Sequence, residues 1–377
     1  MYVHIFPTSY SQTSINRLIM KAQLFSKTPL LKHQFKRSKG PQVLLKYEFL
    51  QPSGSFKSRG IGHLISTKVE EIKKSSPEKI GHVFASSGGN AGLAAAVASL
   101  ELNVPCTVVV SNATRPRIIE KIRSYGADVV VHGNHWKEAD SFMKEHLMKK
   151  LDSFKYEPIY SHPFDNPLIW EGHSFMVDEI MDVLASSKIP ITKIKGIVCS
   201  FGGGGLYNGL ILGLQRYNLA DKIPIVCVET KGTDVLSASL RVGAPVEFEK
   251  ISSCATSLGT ATISTTAYQN VKRHGSKSAV ISDTEVISTC LQFSNDTNIV
   301  AEPGCGATLY FGYNIDKLQN ILGSDIKDDD YVILIGCGGS STSLEDLKEL
   351  SSFTNCEFEL PSTGVSRLNS HSLHTLQ

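Results

Sequence analysis

Two features of the sequence combine residue types that do chemistry with a spacing that would expose them. The first is a run of four glycines, Gly202, Gly203, Gly204 and Gly205, followed by Leu206. A short apolar run, Gly196–Cys199, precedes it and reads as a strand; a helical pattern, Leu206–Tyr217, follows. Without Cβ atoms, successive backbone N–H groups can curl around an anion, and the helix N-terminus adds the positive end of its dipole. Four consecutive glycines also cost chain entropy that a plain turn would not require. The run therefore reads as a phosphate cradle, and a side chain at Gly203 or Gly204 is expected to weaken anion binding far more than stability. A nucleotide P-loop motif is absent, and a dinucleotide fingerprint is disfavoured because Leu206 stands where the second glycine after Gly204 is needed.

The second feature is Lys57, in Pro52-Ser53-Gly54-Ser55-Phe56-Lys57-Ser58-Arg59-Gly60, read as a Ser/Gly loop. A lone loop lysine is usually just solvated. Combined with a separate phosphate cradle, it acquires another use. Pyridoxal phosphate needs an amine for its Schiff base, an anion site, and a partner for its pyridine nitrogen. Lys57, Gly202–Gly205, and Cys337 or Ser340 in Cys337-Gly338-Gly339-Ser340 would supply the three. A fourth turn, Ser86-Ser87-Gly88-Gly89-Asn90-Ala91-Gly92, offers hydroxyls and backbone N–H groups.

These turns need strands and helices to aim them. Short apolar, β-branched runs occur at Val43–Lys46, Val83–Ala85, Thr107–Val110, Val129–Val131, Gly196–Cys199, Ile225–Val228 and Val332–Ile335. Helical stretches follow several of them, at Asn90–Leu100, Arg115–Tyr125, Trp136–Leu151, Ile169–Leu184 and Leu206–Tyr217. The alternation predicts an α/β fold with largely parallel sheets, whose ligands bind at the carboxyl ends of the strands. The expected division is a large domain over 28–62 plus 166–356 and a small domain over 63–165. Residues 1–27 hold no Asp or Glu but carry Arg17, Lys21 and several hydroxyls, the composition of a mitochondrial leader or of a plain tail. Residues 357–377 lose hydrophobic periodicity and read as a loose tail.

The chain has 377 residues, 41% of them hydrophobic, enough for about two domains of the usual size. A net charge of +2 is too balanced to suggest a nucleic-acid partner, and no apolar run approaches the roughly 20 residues of a membrane span. The eight cysteines form no C-x-x-C pair, so they read as mostly buried thiols rather than a zinc site.

From about Thr28 to about Leu350 the sequence resembles the fold type II pyridoxal-phosphate enzymes, specifically the serine/threonine dehydratases. Ser55-Phe56-Lys57-Ser58-Arg59-Gly60 looks like that family's cofactor-lysine motif, and Ser86–Gly92 looks like its substrate loop. Ala91 after Asn90, the stretch Pro163-Phe164-Asp165-Asn166-Pro167 and Cys337-Gly338-Gly339 resemble the catabolic L-serine dehydratase branch. One departure is Gly88, where some members carry Ala, which leaves the relative serine and threonine rates open.

The resemblance implies a tryptophan synthase β-like fold of two α/β domains with the cofactor between them. It implies that Lys57 holds the cofactor and takes the substrate Cα proton. It assigns the phosphate to Gly202–Gly205 and Leu206, one ring face to Phe56, the phenolic oxygen to Asn90, and the pyridine nitrogen to Cys337. Ser86, Ser87, Gly88, Gly89 and Asn90 would bind the substrate carboxylate. A neutral thiol at the ring nitrogen makes a weaker electron sink, which suits concerted elimination over a long-lived carbanion; the alternative on local sequence alone is a buried packing cysteine. The family also suggests K+ beside the cofactor, held by Glu229 and by carbonyls near Gly202, Thr233, Leu258 and Thr260; the local alternative is that Glu229 only caps or pairs nearby. A homodimer acting on an amino-acid substrate, in mitochondria or cytoplasm, completes the expectation. Two rivals remain: a β-replacement enzyme of the same fold, and a sensor that kept the fold without catalysis.

Overall fold

The computed structural model describes residues 24–36, 40–323 and 325–354. The leader up to residue 23 and the tail from residue 355 lie outside them.

Two sheets organise the chain. The larger has six strands in the order β1-β2-β10-β7-β8-β9. These are β1 (Leu30–Lys32), β2 (Gln42–Tyr47), β7 (Ile194–Ser200), β8 (Ile225–Thr230), β9 (Lys277–Ile281) and β10 (Tyr331–Gly336). Only β1 runs antiparallel to its neighbour. The smaller sheet is all parallel, in the order β5-β4-β3-β6: β3 (Ile80–Ala85), β4 (Cys106–Val110), β5 (Asp128–Val131) and β6 (Tyr156–Ser161). Strands β4, β8 and β10 are nearly continuous apolar runs because helices cover both faces, as parallel sheets require.

Twelve helices are described: α1 (Lys57–Ser75), α2 (Asn90–Glu101), α3 (Pro116–Ser124), α4 (Trp136–Phe142), α5 (Pro167–Ser186), α6 (Gly205–Arg216), α7 (Val235–Val242), α8 (Thr265–His274), α9 (Asp283–Thr297), α10 (Pro303–Tyr313), α11 (Ile315–Leu322) and α12 (Leu344–Thr354). One apolar core surrounds the large sheet. A second, containing Ile61, Leu64, Val83, Leu93 and Val108, lies on the small sheet, and α1 supplies part of it.

Three expectations need correcting. Lys57 does not sit in a loop; it is the first residue of the 19-residue helix α1. The 136–151 stretch is not one regular helix: after α4 it passes through a wider π-type turn at Met143–Leu147 and a 3-10 turn at Met148–Lys150. The folded chain also begins before Thr28. Leu24 is 2% exposed in the second core, Phe25 stacks on Phe175 at 6.0 Å, and Ser26 N–H donates to Gln51 Oε1 at 2.9 Å. A chain begun at Lys27 would lose all three anchors.

Candidate active site

The turns singled out in the sequence all follow strands at their carboxyl ends, or, for Lys57, the short segment after β2. Backbone bonds tie them together. Phe56 N–H donates to Cys337 O at 3.0 Å, and Gly339 N–H to Gly54 O at 2.9 Å. The lysine turn is thereby laid directly against the end of β10.

Lys57 is half-buried and makes no ion pair among the described residues. Its amine donates to Pro163 O, in the segment after β6. Burial lowers its pKa to about 8, with Cys337 and Glu302 pulling weakly the other way. Its neighbour Phe56 presents its ring to Lys57 Nζ at 5.2 Å and is backed by the His173 ring at 4.8 Å. Both nitrogens of His173 are buried without a partner among the described residues, and burial drives its pKa well down, so it is neutral. Ser55 Oγ is likewise buried and unpartnered.

The glycine run forms the turn into α6. Asn208 N–H makes the first intrahelical bond, to Gly204 O at 2.9 Å. The N–H groups of Gly205, Leu206 and Tyr207 are therefore left over by their own helix, as an anion cradle requires. The glycines are also demanded by packing, which corrects the expectation that side chains there would spare stability. Gly204 has φ +91°, and a Cβ on it would stand 2.4 Å from Ala267 Cβ; a Cβ on Gly203 would meet the Phe164 ring at 2.4 Å. Phe164 follows Pro163, so one segment touches both the cradle and the Lys57 amine.

A second open helix end faces the loop after β3. Leu93 N–H makes the first intrahelical bond of α2, to Gly89 O at 3.1 Å, leaving those of Asn90, Ala91 and Gly92. Ser87 Oγ accepts from Gly89 N–H at 3.3 Å. Ser86 is 1% exposed and its hydroxyl donates to Asp140 at 2.6 Å, so its proton is already committed.

Asn90 is held at both ends of its amide. Its Oδ1 accepts from Ser340 N–H at 3.1 Å, and its Nδ2 donates to Glu302 Oε1 at 2.6 Å. Glu302 was not anticipated from the sequence. It is 3% exposed, precedes α10, accepts from Ser341 Oγ at 2.7 Å, and burial raises its pKa. The one local signal was Glu302-Pro303, an acid followed by a proline at a helix start.

Of the two candidates for the pyridine nitrogen, Ser340 has spent its hydroxyl proton on Ser53 O at 2.9 Å. Cys337 is 5% exposed, and a hydrogen bond with Cys305 and burial hold its thiol well above the usual range, hence neutral.

The residues considered for a cation fall into two groups. Gly202 lies against Leu258, whose carbonyl accepts Thr260 N–H at 2.9 Å. Glu229, fully buried, accepts from the N–H groups of Leu236 and Ser237 at the start of α7, at 2.7 and 2.9 Å; Thr233 lies in the intervening turn. Burial lifts the Glu229 carboxyl to about 8. Among the described residues, no three of His, Cys, Asp or Glu converge as a transition-metal site needs. No helix among them is long and apolar enough to cross a membrane.

With this geometry in hand, comparison with known proteins gives the class. The family model described as pyridoxal-phosphate dependent enzyme matches residues 22–338, and the chain belongs to that family. It is 56% identical over 329 residues to the catabolic L-serine/threonine dehydratase of Saccharomyces cerevisiae, covering 86% of this chain and 90% of that protein. It is 38% identical over 316 residues to the L-serine dehydratase of Dictyostelium discoideum, covering 83% and 87%. The crystal structure of a fungal L-serine ammonia-lyase from Rhizomucor miehei superposes with a TM-score of 0.74 at 29% identity, covering 87% of this chain and 98% of that one. The site fits the family's cofactor: a half-buried amine without an ion pair, an open helix end behind crowded glycines, and a neutral thiol.

Proposed function

We propose that this chain deaminates L-serine to pyruvate and L-threonine to 2-oxobutanoate, releasing ammonia. The observation that carries the reading is Lys57: a half-buried amine without an ion pair, bound to the segment that also packs the phosphate cradle. The relatives named as serine and threonine dehydratases support the choice of substrate.

Bound pyridoxal phosphate supplies an electron sink that makes the substrate Cα–H acidic. Lys57 Nζ, whose pKa burial lowers to about 8, is the base that takes that proton. The α6 terminus at Gly202–Gly205 and Leu206 holds the phosphate, and Phe56 covers one ring face. Asn90, locked by Glu302 and Ser340, keeps an amide proton for the phenolic oxygen. Cys337 offers the ring nitrogen a neutral partner. The N–H groups at the start of α2, with Ser87, Gly88 and Gly89, receive the carboxylate, and Ser86 supports that loop through Asp140.

A potassium ion at Glu229 belongs to the same reading. Its support is that this buried carboxylate pairs with no lysine or arginine among the described residues, and that oxygen donors suit a hard monovalent cation. Loss of activity when K+ is replaced by Li+ tests it. A homodimer follows the resemblance, and mitochondrial import, with cytoplasm as the alternative, follows the acid-free leader; light scattering and imaging of the tagged full-length chain test these.

The deciding experiment for activity is incubation with serine alone. Ammonia and pyruvate in equal amounts, without added thiol, are expected. Product only when a thiol is supplied would point instead to a β-replacement enzyme of this fold.

A further inference from the structure

The turn between β4 and α3 brings a side chain onto the substrate loop that the reading above leaves unused. Thr114 is fixed there by its N–H, which donates to Ser111 O at 3.0 Å. A Cβ built on Gly88 would stand 2.3 Å from Thr114 Oγ1 and 2.6 Å from its Cγ2. The threonine hydroxyl therefore occupies the space in which any side chain of residue 88 would begin. Gly88 is not among the glycines with positive φ, so backbone conformation does not demand glycine there. The contact with Thr114 does.

The surroundings leave this hydroxyl free to act. Thr114 is half-buried, and its Oγ1 has no hydrogen-bond partner among the described residues. The neighbouring cations are turned elsewhere: Arg115 and Arg117 pair with Asp346, and Lys121 donates to Ser340 O at 3.0 Å. Ser86 has given its proton to Asp140. Two residues beyond Gly88 stands the open end of α2, whose N–H groups favour an anion. A carboxylate is an acceptor only, and needs donors from more than one side.

We propose that Thr114 Oγ1 donates a hydrogen bond to the substrate carboxylate, doing from the β4–α3 turn what a hydroxyl at residue 88 would do from the loop itself. The proposal rests on the deaminase reading for the identity of the substrate. It makes residues 88 and 114 a coupled pair, and that coupling is its distinctive consequence.

The test is serine kinetics on four variants, with the visible absorbance of the pyridoxal-phosphate holoenzyme as a control on folding and cofactor binding. Thr114→Val keeps the shape and removes the hydroxyl. It should raise KM about tenfold or more, the loss of one hydrogen bond to a charged group, with kcat and absorbance near the parent's. Thr114→Ser should keep the parent's KM. Gly88→Ser alone should be impaired by the collision with Thr114, and adding Thr114→Ala should bring KM back to within a few-fold of the parent. A parental KM in Thr114→Val, loss of the absorbance band in that variant, or a double variant no better than Gly88→Ser would each overturn the assignment. A parent that releases no pyruvate from serine would instead bring down the deaminase reading, and this proposal with it.

Discussion

Two buried polar clusters lie two residues apart at the start of α1, and they are built on opposite rules. Around Arg59 every charge is answered. Its guanidinium donates to both oxygens of Glu48 at 2.6 and 2.8 Å and to both of Glu179 at 2.8 and 2.7 Å. Lys46 adds a bond to Glu179 at 2.6 Å, and Thr28 closes the set on Glu48. Around Lys57 the charges are left unanswered. The lysine has no ion pair, Glu302 is held by neutral donors, Cys337 is a thiol, and His173 has no partner among the described residues. Burying an ion without a partner costs free energy, so such groups shift toward their neutral forms. The first cluster fixes the fold; the second leaves the fold to hold groups in the forms that chemistry needs.

Substitution should separate the two. Lys57→Ala is expected to abolish turnover and the cofactor's visible absorbance while unfolding at the same or a higher temperature. Retained ammonia release from serine would break the contrast at its root. Arg59→Ala should do the reverse of sparing the fold: Glu48 and Glu179 would be left buried with Lys46 as their one remaining cation, at about 3–5 kcal/mol. Denaturant unfolding measures this, and a loss below about 1 kcal/mol, the range of a surface pair, would show that the cluster is better solvated than its burial says.

Glu302→Ala tests a member of the unanswered cluster that acts through a neighbour. Asn90 would lose the partner of one amide proton, so kcat should fall about tenfold or more and the cofactor absorbance should shift. Glu302→Gln, which keeps an acceptor, should recover most of both. Unchanged kcat and spectrum in the alanine variant would make Glu302 a packing residue. The smallest effect is expected at Cys337. Serine there preserves a neutral donor and most of the activity. Asp would raise Cα-proton exchange relative to pyruvate formation, since each pKa unit at the ring nitrogen is worth about 1.4 kcal/mol. A parental exchange ratio in the Asp variant would return Cys337 to the packing residues.

The sequence made the answered and unanswered groups legible to different degrees. The cradle and Lys57 were readable because glycine runs and a motif are local. The start of α1 was not, since Ser55, Gly60 and Gly62 blur the helical period; Gly60 is small because His173 comes within 2.5 Å of where its Cβ would be. Strand β6 was missed because Pro158 argues against a strand, yet β6 is an edge of the small sheet, where proline is tolerated. Glu302 and Thr114 were invisible for a third reason. Their meaning lies in contacts with Asn90 and Gly88 that only the folded chain makes. Leu24 and Phe25 were hidden by the basic composition around them.

That burial lowers the pKa of Lys57 to about 8 is most directly tested by the pH dependence of its reaction with the cofactor. Cofactor-free protein is mixed with pyridoxal phosphate, and the rate at which visible absorbance appears is followed from pH 6 to 11. Only an uncharged amine reacts, and lowering the pKa from 10.5 to about 8 enlarges that fraction at neutral pH. The rate should therefore climb with pH, bend near 8 and level off above it. A rate that keeps rising toward 10.5, as for an exposed lysine, would contradict the desolvated, unpaired amine on which the account stands.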